Sequence, residues 1–163
     1  MNGNRSVDEP RFIIDHNVGK LLKWLRMLGY DSLFFNREDD GDMVRQALAE
    51  GRIILTRDTG VVKRRVITQG RLKAILIKSE EPEKQIKQLM AELNIKDRSR
   101  PFTLCLECNT PLVPTTPDEV KERVPPYVYK TQKQYVECPA CRRIYWRGTH
   151  WAAMLRKLER FMG

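Results

Sequence analysis

No segment of the chain has about 18 consecutive apolar residues, the length that a membrane-spanning helix requires. The sequence also lacks the motifs GxGxxG, GxxxxGK(S/T), GxSxG and HExxH. Dinucleotide or P-loop nucleotide binding, the hydrolase nucleophile elbow and zincin chemistry therefore have no support. Residues 1–10 contain no apolar signal-peptide core, and we expect them to form a disordered leader. We expect a soluble, cytoplasmic protein with no membrane partner and no nucleotide cofactor.

Cysteine is scarce, but its four copies fall as two Cys-x-x-Cys pairs. Two residues between paired cysteines let both thiolates of a tight turn point at one ion, and two such turns give the sulfur cage that zinc prefers. The alternative is a pair of disulfides, but a Cys-x-x-Cys disulfide is strained and rare as a structural bond. Four thiolates leave no open position for substrate, so we expect a structural zinc. Its ligands are Cys105, Cys108, Cys138 and Cys141.

Acidic residues are outnumbered, since 21 Asp and Glu against 30 Lys and Arg give a net charge of +9. The positive excess is spread over both parts of the chain and is not confined to a tail. A distributed positive field favours a polyanionic partner such as nucleic acid. Basic proteins that bind no nucleic acid are also common, so the charge alone does not decide the partner.

Short apolar segments alternate with helical patterns over residues 11–96, as is typical of a parallel α/β sheet with right-handed crossovers. The predicted strands cover residues 11–15, 32–35, 52–56 and 74–77. The predicted helices run from near Val18 to Gly29, over 42–50, as one basic helix over about 59–70, and over 82–93. In the second helix, Met43, Ala47 and Leu48 are expected to face the core. We expect helices on both faces of the sheet.

The pattern changes after a charged linker at residues 96–101, and residues 101–163 are expected to form a small zinc-ribbon module. Alternation with a period of two predicts short strands at 127–129 and 135–137, and a further one follows the second cysteine pair at 144–146. Thr149 is placed to cap a last helix. The apolar stripe of that helix consists of Trp151, Met154, Leu155, Leu158 and Phe161.

Carboxylates follow two of the predicted strands. Asp15 ends the first strand and Asp58 follows the third, while Asp39, Asp40 and Asp42 lie in a loop before a helix. Ligands of an open parallel sheet gather beyond the carboxyl ends of its strands, so these acids are expected at one rim. Carboxylates that converge repel one another unless a divalent cation such as Mg²⁺ or Mn²⁺ neutralises them. Such an ion can activate water for phosphodiester cleavage.

Each acid also has a purely structural interpretation. Asp15 and Asp58 are both placed to cap a following helix, and caps are far commoner than catalytic carboxylates. The acids at 39, 40 and 42 are equally compatible with a solvated loop that carries one capping residue. The catalytic interpretation gains weight because two acids end apolar strands of one inferred sheet in a basic protein.

Basic and aromatic side chains supply candidates for RNA contact. Lys63, Arg64 and Arg65 form either a phosphate-contacting surface or a solvated helix face. Because they lie close to Asp58, the phosphate-contacting interpretation has as much support as the solvated one. Arg57 and Arg26 complete the RNA-binding candidates. The aromatic residues of the second module either stack on bases or supply its core. These are Tyr129, Tyr135, Tyr145, Trp146 and Trp151.

Several sequence blocks together resemble the Mut-seven C-terminal RNase domain. The blocks are Phe12-Ile13-Ile14-Asp15, residues 19–31, residues 51–58, Cys105-Leu106-Glu107-Cys108-Asn109, residues 124–126, residues 138–141 and residues 145–151. The resemblance implies a PIN-like nuclease domain at 11–96 fused to a zinc ribbon, and a metal-dependent ribonuclease activity. It also implies that Asp15 and Asp58 are catalytic acids, with Asp40 as the middle acid and Asp42 as the next choice.

Our hypothesis is a PIN-like endoribonuclease in which Asp15, Asp40 and Asp58 hold Mg²⁺ or Mn²⁺, and in which the ribbon and the basic helix bind RNA. Asp42 and Asp39 are secondary candidates for the metal. Transfer RNA or the ribosome are candidate partners. The main alternative is a non-catalytic RNA- or ribosome-binding protein on the same scaffold, and a third is a zinc-dependent protein-interaction adaptor.

Overall fold

The computed structural model describes residues 9–93 and 100–162, the last two of them by backbone only. Of the predicted leader, only residues 9 and 10 fall within this part of the chain, and of the predicted linker only 100 and 101. The side chain of Phe161, which we assigned to the apolar stripe of the last helix, also lies outside the described residues.

Four short apolar segments form one parallel sheet. The strands are β1 (Phe12–Asp15), β2 (Ser32–Phe35), β3 (Ile53–Thr56) and β4 (Ala74–Leu76). Their order is β2-β1-β3-β4, so β1 and β3 are neighbours at the centre, with Ile14 opposite Leu55. The predicted strands are confirmed, and the first and third lie side by side. Their carboxyl ends therefore share one edge.

Helices cover both faces of this sheet because successive side chains of a strand point to opposite sides. They are α1 (Leu21–Met27), α2 (Asp40–Glu50), α3 (Thr59–Val62), α4 (Arg65–Thr68) and α5 (Pro82–Glu92), with a 3₁₀ turn at His16–Val18 before α1. Phe12 and Ile14 pack in the apolar cluster that contains residues of α1 and α5. Ile13 packs in the opposite cluster, with residues of α2 and α3. None of the described helices has the length and apolarity to cross a bilayer.

The basic helix predicted over 59–70 is wrong as a continuous element. It is two separate turns, α3 and α4, because Arg64 adopts an extended backbone with φ −61° and ψ 143° between them. Gly60 and the β-branched Val61 and Val62 are weak helix formers, and three consecutive cations follow them. The apolar pattern itself was sound, since Val61 is buried and Val66 packs beside it.

The predicted inward position of Leu48 is also wrong, because 42% of this residue is exposed. Val44 takes its place beside Met43 and Ala47 in the buried cluster. At 100° per residue, Val44 lies closer to the middle of that face than Leu48 does. As predicted, α2 ends at Gly51, which adopts the left-handed conformation with φ +66°.

The second half of the chain, as far as the structure describes it, forms a three-stranded antiparallel ribbon and three helices. In chain order its elements are β5 (Val113–Thr115), α6 (Pro117–Val120), α7 (Pro126–Thr131), β6 (Tyr135–Glu137), β7 (Ile144–Tyr145) and α8 (Thr149–Met162). The strands lie in the order β5-β6-β7. We predicted β6, β7 and α8 but not β5, since Pro114 stands at its centre. β5 is an edge strand, where a proline is tolerated. The two short helices α6 and α7 were not predicted.

The strand predicted at 127–129 is wrong, because these residues belong to α7. Pro126 occupies the first helical turn, where its missing N–H costs nothing and its fixed φ favours the helix. Val128 is buried while Tyr127 is 70% exposed, so the apolar alternation that suggested a strand is one buried residue on a short helix.

The ribbon and the sheet share one apolar core. Trp151 and Leu158 of α8 are buried in the same cluster as Leu25 and Leu89, and α8 packs against α5. The chain also crosses the end of α1 before it enters the ribbon, where the Arg100 N–H donates to the Leu28 carbonyl over 2.9 Å. A Cβ at Gly29, whose φ is +90°, would lie only 2.8 Å from the Arg100 carbonyl oxygen. Glycine is therefore required there both by conformation and by space.

Candidate active site and metal centre

Three carboxylates, which we call the acidic rim, stand at the carboxyl edge of the sheet. Asp15 is the last residue of β1, Asp58 follows β3, and Asp40 is the first residue of α2. The pKa of Asp40 is raised by partial burial and then by the negative charges of Asp15 and Asp58. The fold therefore brings the three predicted acids into electrostatic contact. Their catalytic role stays a prediction.

Asp15 is the buried member of the rim, with 2% of its surface exposed. Its Oδ2 accepts a hydrogen bond from the Thr56 hydroxyl at 2.7 Å and a longer one from Asn17 Nδ2 at 3.4 Å. Its Oδ1 accepts from the backbone N–H of His16 at 2.9 Å and lies 3.0 Å from Nδ1 of the same residue. These contacts fix the orientation of the carboxylate.

Thr56 links two members of the rim and was not singled out from the sequence as a site residue. Its hydroxyl oxygen donates to Asp15 and also accepts from the backbone N–H of Asp58 at 3.0 Å. The strand register is what brings Thr56 to the site: Ile14 pairs with Leu55, so the last residue of β3 faces the last residue of β1. A buried hydroxyl between two acids satisfies part of their hydrogen-bonding capacity.

The capping interpretation is confirmed for Asp15, Asp58 and Asp39. Asp58 Oδ1 accepts from Gly60 N at 2.7 Å and caps α3, and Asp39 Oδ1 accepts from Gly41 N at 2.8 Å and caps α2. Asp15 caps the 3₁₀ turn through His16. Each of these caps engages one oxygen of the carboxylate, and the carboxylate has about four acceptor positions. Capping and a second ligand at the same residue are therefore compatible.

The secondary candidates Asp39 and Asp42 are engaged with a cation on their own helix. Arg45 Nη2 forms a very short ion pair with Asp42 Oδ1 and lies 3.7 Å from Asp39 Oδ2. The hydrogen bond to Asp42 raises the pKa of Arg45. Asp40 is thus the acid of this loop that the structure brings to the rim.

Basic side chains border the rim on one side. Arg64, at the break between α3 and α4, opposes the rise in the pKa of Asp40, which places its charge close to the rim. Lys63 and Arg65 are its exposed neighbours. Arg57 is held by its backbone N–H, which donates to Asn17 Oδ1 at 3.1 Å, while its side chain is 29% exposed. These four cations retain free surface for an anionic ligand.

Arg26 has a different environment from the other predicted RNA-binding residues. Only 6% of it is exposed, and its Nε and Nη1 donate to the carbonyls of Ser32 and Leu106 at 3.0 and 2.9 Å. Burial lowers the pKa of Arg26, although the nearby cysteines and acids act in the opposite direction. The guanidinium joins the sheet to the first cysteine turn. Arg26 therefore has little free surface with which to contact RNA.

The four cysteines form a cage. The Sγ atoms of Cys105, Cys108, Cys138 and Cys141 all lie within 4.8 Å of one another. Four sulfurs at about 2.3 Å from a tetrahedral zinc stand about 3.8 Å apart, so the cluster fits one ion after small adjustments. Within residues 9–93 and 100–162, it is the one group of three or more potential ligands that already converges in this way. The four cysteines could therefore bind a structural metal such as zinc.

The two cysteine turns have the same construction. The Cys105 carbonyl accepts from the N–H of Asn109, and the Cys138 carbonyl accepts from the N–H of Arg142, each at 2.9 Å. Asn109 and Arg142 both adopt a positive φ, of 66° and 69°. The residue after each pair thus closes the turn and directs both thiols inward. Equivalent geometry at both turns is what a shared ion requires.

Hydrogen bonds prepare one thiol for ionisation. Burial opposes the Cys105 thiolate, but hydrogen bonds from the Tyr145 hydroxyl and from nearby backbone N–H groups outweigh it and lower the pKa to about 7. The hydrogen bond with Cys141 and the charge of Cys105 raise the pKa of Cys108 to about 12. Crowded sulfur anions repel one another, and a bound cation removes that repulsion.

The predicted aromatic residues mostly build the ribbon. Tyr145 donates its hydroxyl toward Cys105 Sγ at 3.2 Å, and Trp151 stacks on Phe102 with ring centroids 3.8 Å apart. Tyr135 is buried and meets Trp146 edge to face. The interpretation of these rings as core is therefore confirmed for Tyr135 and Trp151. Trp146 is only partly buried and keeps some free surface.

The comparisons with known proteins agree with the sequence blocks. No curated protein and no solved structure is matched by this chain. A protein-family model described as the Mut7-C RNAse domain matches residues 10–158 of the 163, so it spans both the acidic rim and the cysteine cage. The resemblance predicted from the sequence is confirmed, and the family description indicates a nuclease-like role. The chain belongs to the Mut7-C RNAse domain family.

Proposed function

We propose that this protein is a metal-dependent endoribonuclease with a PIN-like catalytic domain, and that Asp15, Asp40 and Asp58 hold its Mg²⁺ or Mn²⁺. The observation that carries the proposal is the position of the three acids, at the end of β1, just after β3 and at the start of α2. The pKa of Asp40, raised by burial and then by the charges of both other acids, agrees with it. Three carboxylates from three separate segments meet at the edge where a parallel sheet binds ligands. Such a perturbed acidic group is typical of a functional site.

The donor set suits a hard cation, which prefers carboxylate oxygens. A divalent ion bound there would lower the pKa of an attacking water and stabilise charge on the phosphate. The protein's own part is positioning. Thr56 and the backbone N–H of His16 hold Asp15 still, while capping of α3 through one oxygen fixes Asp58.

The basic residues beside the rim would receive the RNA backbone. Lys63, Arg64 and Arg65 lie at the break between α3 and α4, and Arg57 lies between Asn17 and the carboxyl end of β4. Contacts of this kind position the substrate without selecting its sequence. We assign the zinc ribbon a supporting role in RNA binding, through its exposed arginines and the free surface of Trp146.

A structural zinc in the cysteine cage fits the thiol geometry described above. Metal-bound cysteines, unlike disulfides, suit a reducing compartment, and we therefore place the protein in the cytoplasm. The RNA could be free, or it could be transfer RNA or ribosomal RNA within its particle. These three substrates share the same backbone chemistry and differ in which unpaired segments they offer.

The direct test is incubation of the zinc-loaded protein with structured and unstructured RNA, with and without Mn²⁺. Cleavage that depends on Mn²⁺ supports the enzyme. RNA that is shifted in a gel but stays intact overturns the enzyme and supports a non-catalytic RNA- or ribosome-binding protein. If the RNA is neither cleaved nor shifted, the result overturns both RNA functions and leaves the protein-interaction adaptor.

Asp58→Asn gives the sharpest variant, since it removes one charge from the rim and keeps an oxygen that can cap α3. We expect cleavage to fall by at least about 100-fold, as removal of a single group that stabilises the transition state does, while RNA affinity changes little. Asp118→Asn is the matched control, because Asp118 is exposed in the first turn of α6. Equal cleavage by both variants would overturn the assignment of the rim.

The non-catalytic alternative has one observation in its favour. The carboxylates of the rim do not converge as the four thiols do in the described part of the chain. Metal binding therefore requires some rotation of Asp40 and Asp58, and a protein that only binds RNA would not need it. The assay with Mn²⁺ separates the two functions.

A further inference from the structure

We propose that a depression beside the acidic rim is a subsite for one unpaired nucleotide of the RNA, so that the chain bound across the rim is single-stranded. This inference rests on the proposed function, because the nucleotide that it accommodates adjoins the phosphate to be cleaved. The depression encloses about 590 Å³, within the range of sites that hold a small molecule. Its side-chain lining includes His16, Asn17, Lys20, Arg57, Glu80 and Gln85.

The depression and the rim share a wall. His16 Nδ1 lies 3.0 Å from Asp15 Oδ1, and Asn17 Nδ2 donates to Asp15 Oδ2 at 3.4 Å. The other end of the Asn17 amide accepts from the Arg57 N–H at 3.1 Å. Two lining residues therefore contact the buried acid of the rim directly. An RNA whose phosphate lies at the rim would have its neighbouring nucleotide over this depression.

The charge of the lining suits a phosphate. Lys20 is exposed, and Arg57 presents a guanidinium whose Nη1 lies 3.5 Å from the Ile77 carbonyl. The acid of the lining is Glu80, which is 89% exposed and lies 3.8 Å from Arg57. So exposed an ion pair is weak, and a phosphate with two negative oxygens can displace it.

Gln85 supplies an unused acceptor. It is 2% exposed and lines the depression; its Nε2 donates to the Ser79 carbonyl at 2.8 Å, which fixes the amide. Its Oε1 is buried and has no hydrogen-bond partner among the described residues. A buried acceptor without a partner is costly, and a donor on a ligand would remove that cost. Nucleotides carry such donors as ribose hydroxyls and base amino groups.

The size of the site favours an unpaired nucleotide. A base within a duplex is stacked and paired, and the volume of the depression suits one nucleotide rather than a helix. The subsite would therefore select single-stranded segments for cleavage.

The first experiment measures binding of uridine 5′-monophosphate to the full zinc-loaded chain without Mg²⁺ or Mn²⁺, by amide chemical shifts. Lys20→Glu is compared with Lys73→Glu, which makes the same charge change just before β4 at the opposite edge of the sheet. We expect shifts around Asn17 and Gln85, and at least tenfold weaker binding for Lys20→Glu alone. Equal binding by the two variants would overturn the subsite. So would equal binding of inorganic phosphate, because the nucleoside would then contribute nothing.

The second experiment tests the acceptor. Gln85→Leu removes Oε1 together with the Nε2 donor, so its folding is checked by thermal unfolding. We expect KM for a single-stranded RNA to rise about tenfold while kcat changes little, since the residue contacts a flanking nucleotide and not the scissile phosphate. An unchanged KM in a folded variant would overturn the role of Gln85. If Gln85→Leu does not fold, binding of uridine 5′-monophosphate and of deoxyuridine 5′-monophosphate to the unchanged protein is measured instead. We expect both nucleotides to bind more tightly than inorganic phosphate. Weaker binding of either nucleotide than of inorganic phosphate contradicts the subsite.

The two proposals fail separately. Nucleotide binding is measured without a divalent metal, so an inactive rim leaves it intact. Nucleotide binding that Lys20→Glu weakens, in a protein that never cleaves RNA, would remove the nuclease and keep the subsite. Cleavage that proceeds equally on single-stranded and duplex RNA would keep the nuclease and remove the subsite.

Discussion

The cysteine cage and the acidic rim are both crowded sets of anionic groups, but they are assembled differently. The cage is made by two local turns, each closed by a hydrogen bond from the residue after the cysteine pair. The rim is made by Asp15, Asp40 and Asp58, which come from three segments and meet only because β1 and β3 are neighbours. Local spacing is therefore enough to predict the cage, whereas the rim depends on the topology of the sheet.

The same electrostatic effect acts in both places. Neighbouring sulfurs raise the pKa of Cys108 to about 12, and neighbouring carboxylates add to the effect of burial on Asp40. A cation would relieve the repulsion in each case. The difference lies in convergence: the sulfurs already lie within 4.8 Å of one another, while the carboxylates are still held by caps and a hydroxyl. Zinc is thus expected to be permanent and the cation at the rim exchangeable.

Removal of zinc should have the largest effect. Binding energy in a thiolate cage is folding energy, on the order of 10 kcal/mol for structural zinc. We expect one zinc per chain, and we expect Cys108→Ser to unfold the ribbon beyond about Pro101. Because Trp151 and Leu158 belong to the shared core, the sheet should also lose stability. Zinc analysis and hydrogen exchange provide the measurements.

Cys141→His is the control, since it replaces one ligand by another that zinc accepts at an exposed position. It should retain metal and keep the ribbon folded, with reduced affinity. A purified protein without stoichiometric zinc, or a Cys108→Ser ribbon with unchanged amide protection, contradicts the structural role.

Removal of the cations beside the rim should have the next largest effect. Replacing Lys63, Arg64 and Arg65 by Ala removes up to three phosphate contacts, each worth about 0.7 in the slope of log affinity against log salt for single strands. We expect RNA affinity at low salt to fall on the order of 100-fold across sequences, with a flatter slope. Filter binding over a salt series is the measurement.

The matched variant replaces three exposed cations elsewhere, namely Arg71, Lys73 and Lys87. It makes the same change in net charge and should affect binding far less. If both triple variants lose affinity equally, the interaction reflects net charge and the surface beside the rim has no special part. Affinity that does not depend on salt would contradict an electrostatic interface altogether.

A pair of glycine variants tests the contact between the two halves of the chain. Gly29 and Gly70 both have a positive φ, but a Cβ would meet Arg100 at Gly29 and nothing within 4 Å at Gly70. Gly70→Ala should cost about 1 kcal/mol in conformational strain. Gly29→Ala should cost about 2 kcal/mol more, because of the overlap. Urea unfolding measures both, and equal losses would show that the close approach of Arg100 contributes nothing.

The smallest expected effect is on the titration of Asp40. Partial burial and the charges of Asp15 and Asp58 raise its pKa, so the folded protein binds this proton more tightly than the unfolded chain does. Its contribution to stability is present at pH below the unfolded pKa and is lost as the pH rises through the raised folded pKa. Carbon-detected NMR of the carboxyl group should show a lower pKa in Asp58→Asn and no change in Asp118→Asn. A pKa that is the same in Asp58→Asn as in the unchanged protein would mean that the charge of Asp58 contributes nothing, and that burial and Asp15 raise it without Asp58.

The strands of the sheet could be predicted because each is a short run of apolar residues between helical patterns, and the two central strands, β1 and β3, are buried on both faces. The paired cysteines were equally clear. The helix at α7 could not be separated from a strand by pattern, since Val128 alone is buried among its tyrosines and two prolines decide the conformation. The break at Arg64 depends on weak helix formers and local repulsion rather than on apolar spacing.

The acidic rim was predictable only in part. Asp15 and Asp58 follow apolar strands, which the sequence makes visible, and the family resemblance pointed to Asp40. The part of Thr56 depends on cross-strand register, and the burial of Arg26 depends on where the first cysteine turn meets α1. Contacts between residues so distant in sequence leave no local signal in a single chain.

The most direct test of the central claim is Mn²⁺ binding to the zinc-loaded protein, followed by paramagnetic broadening of backbone amides. We predict saturable binding in the millimolar range or tighter, with the strongest broadening near Asp15, Asp40 and Asp58, and a loss of that broadening in Asp40→Asn but not in Asp118→Asn. Broadening that does not saturate, or that is the same in both variants, would contradict a divalent metal site at the acidic rim.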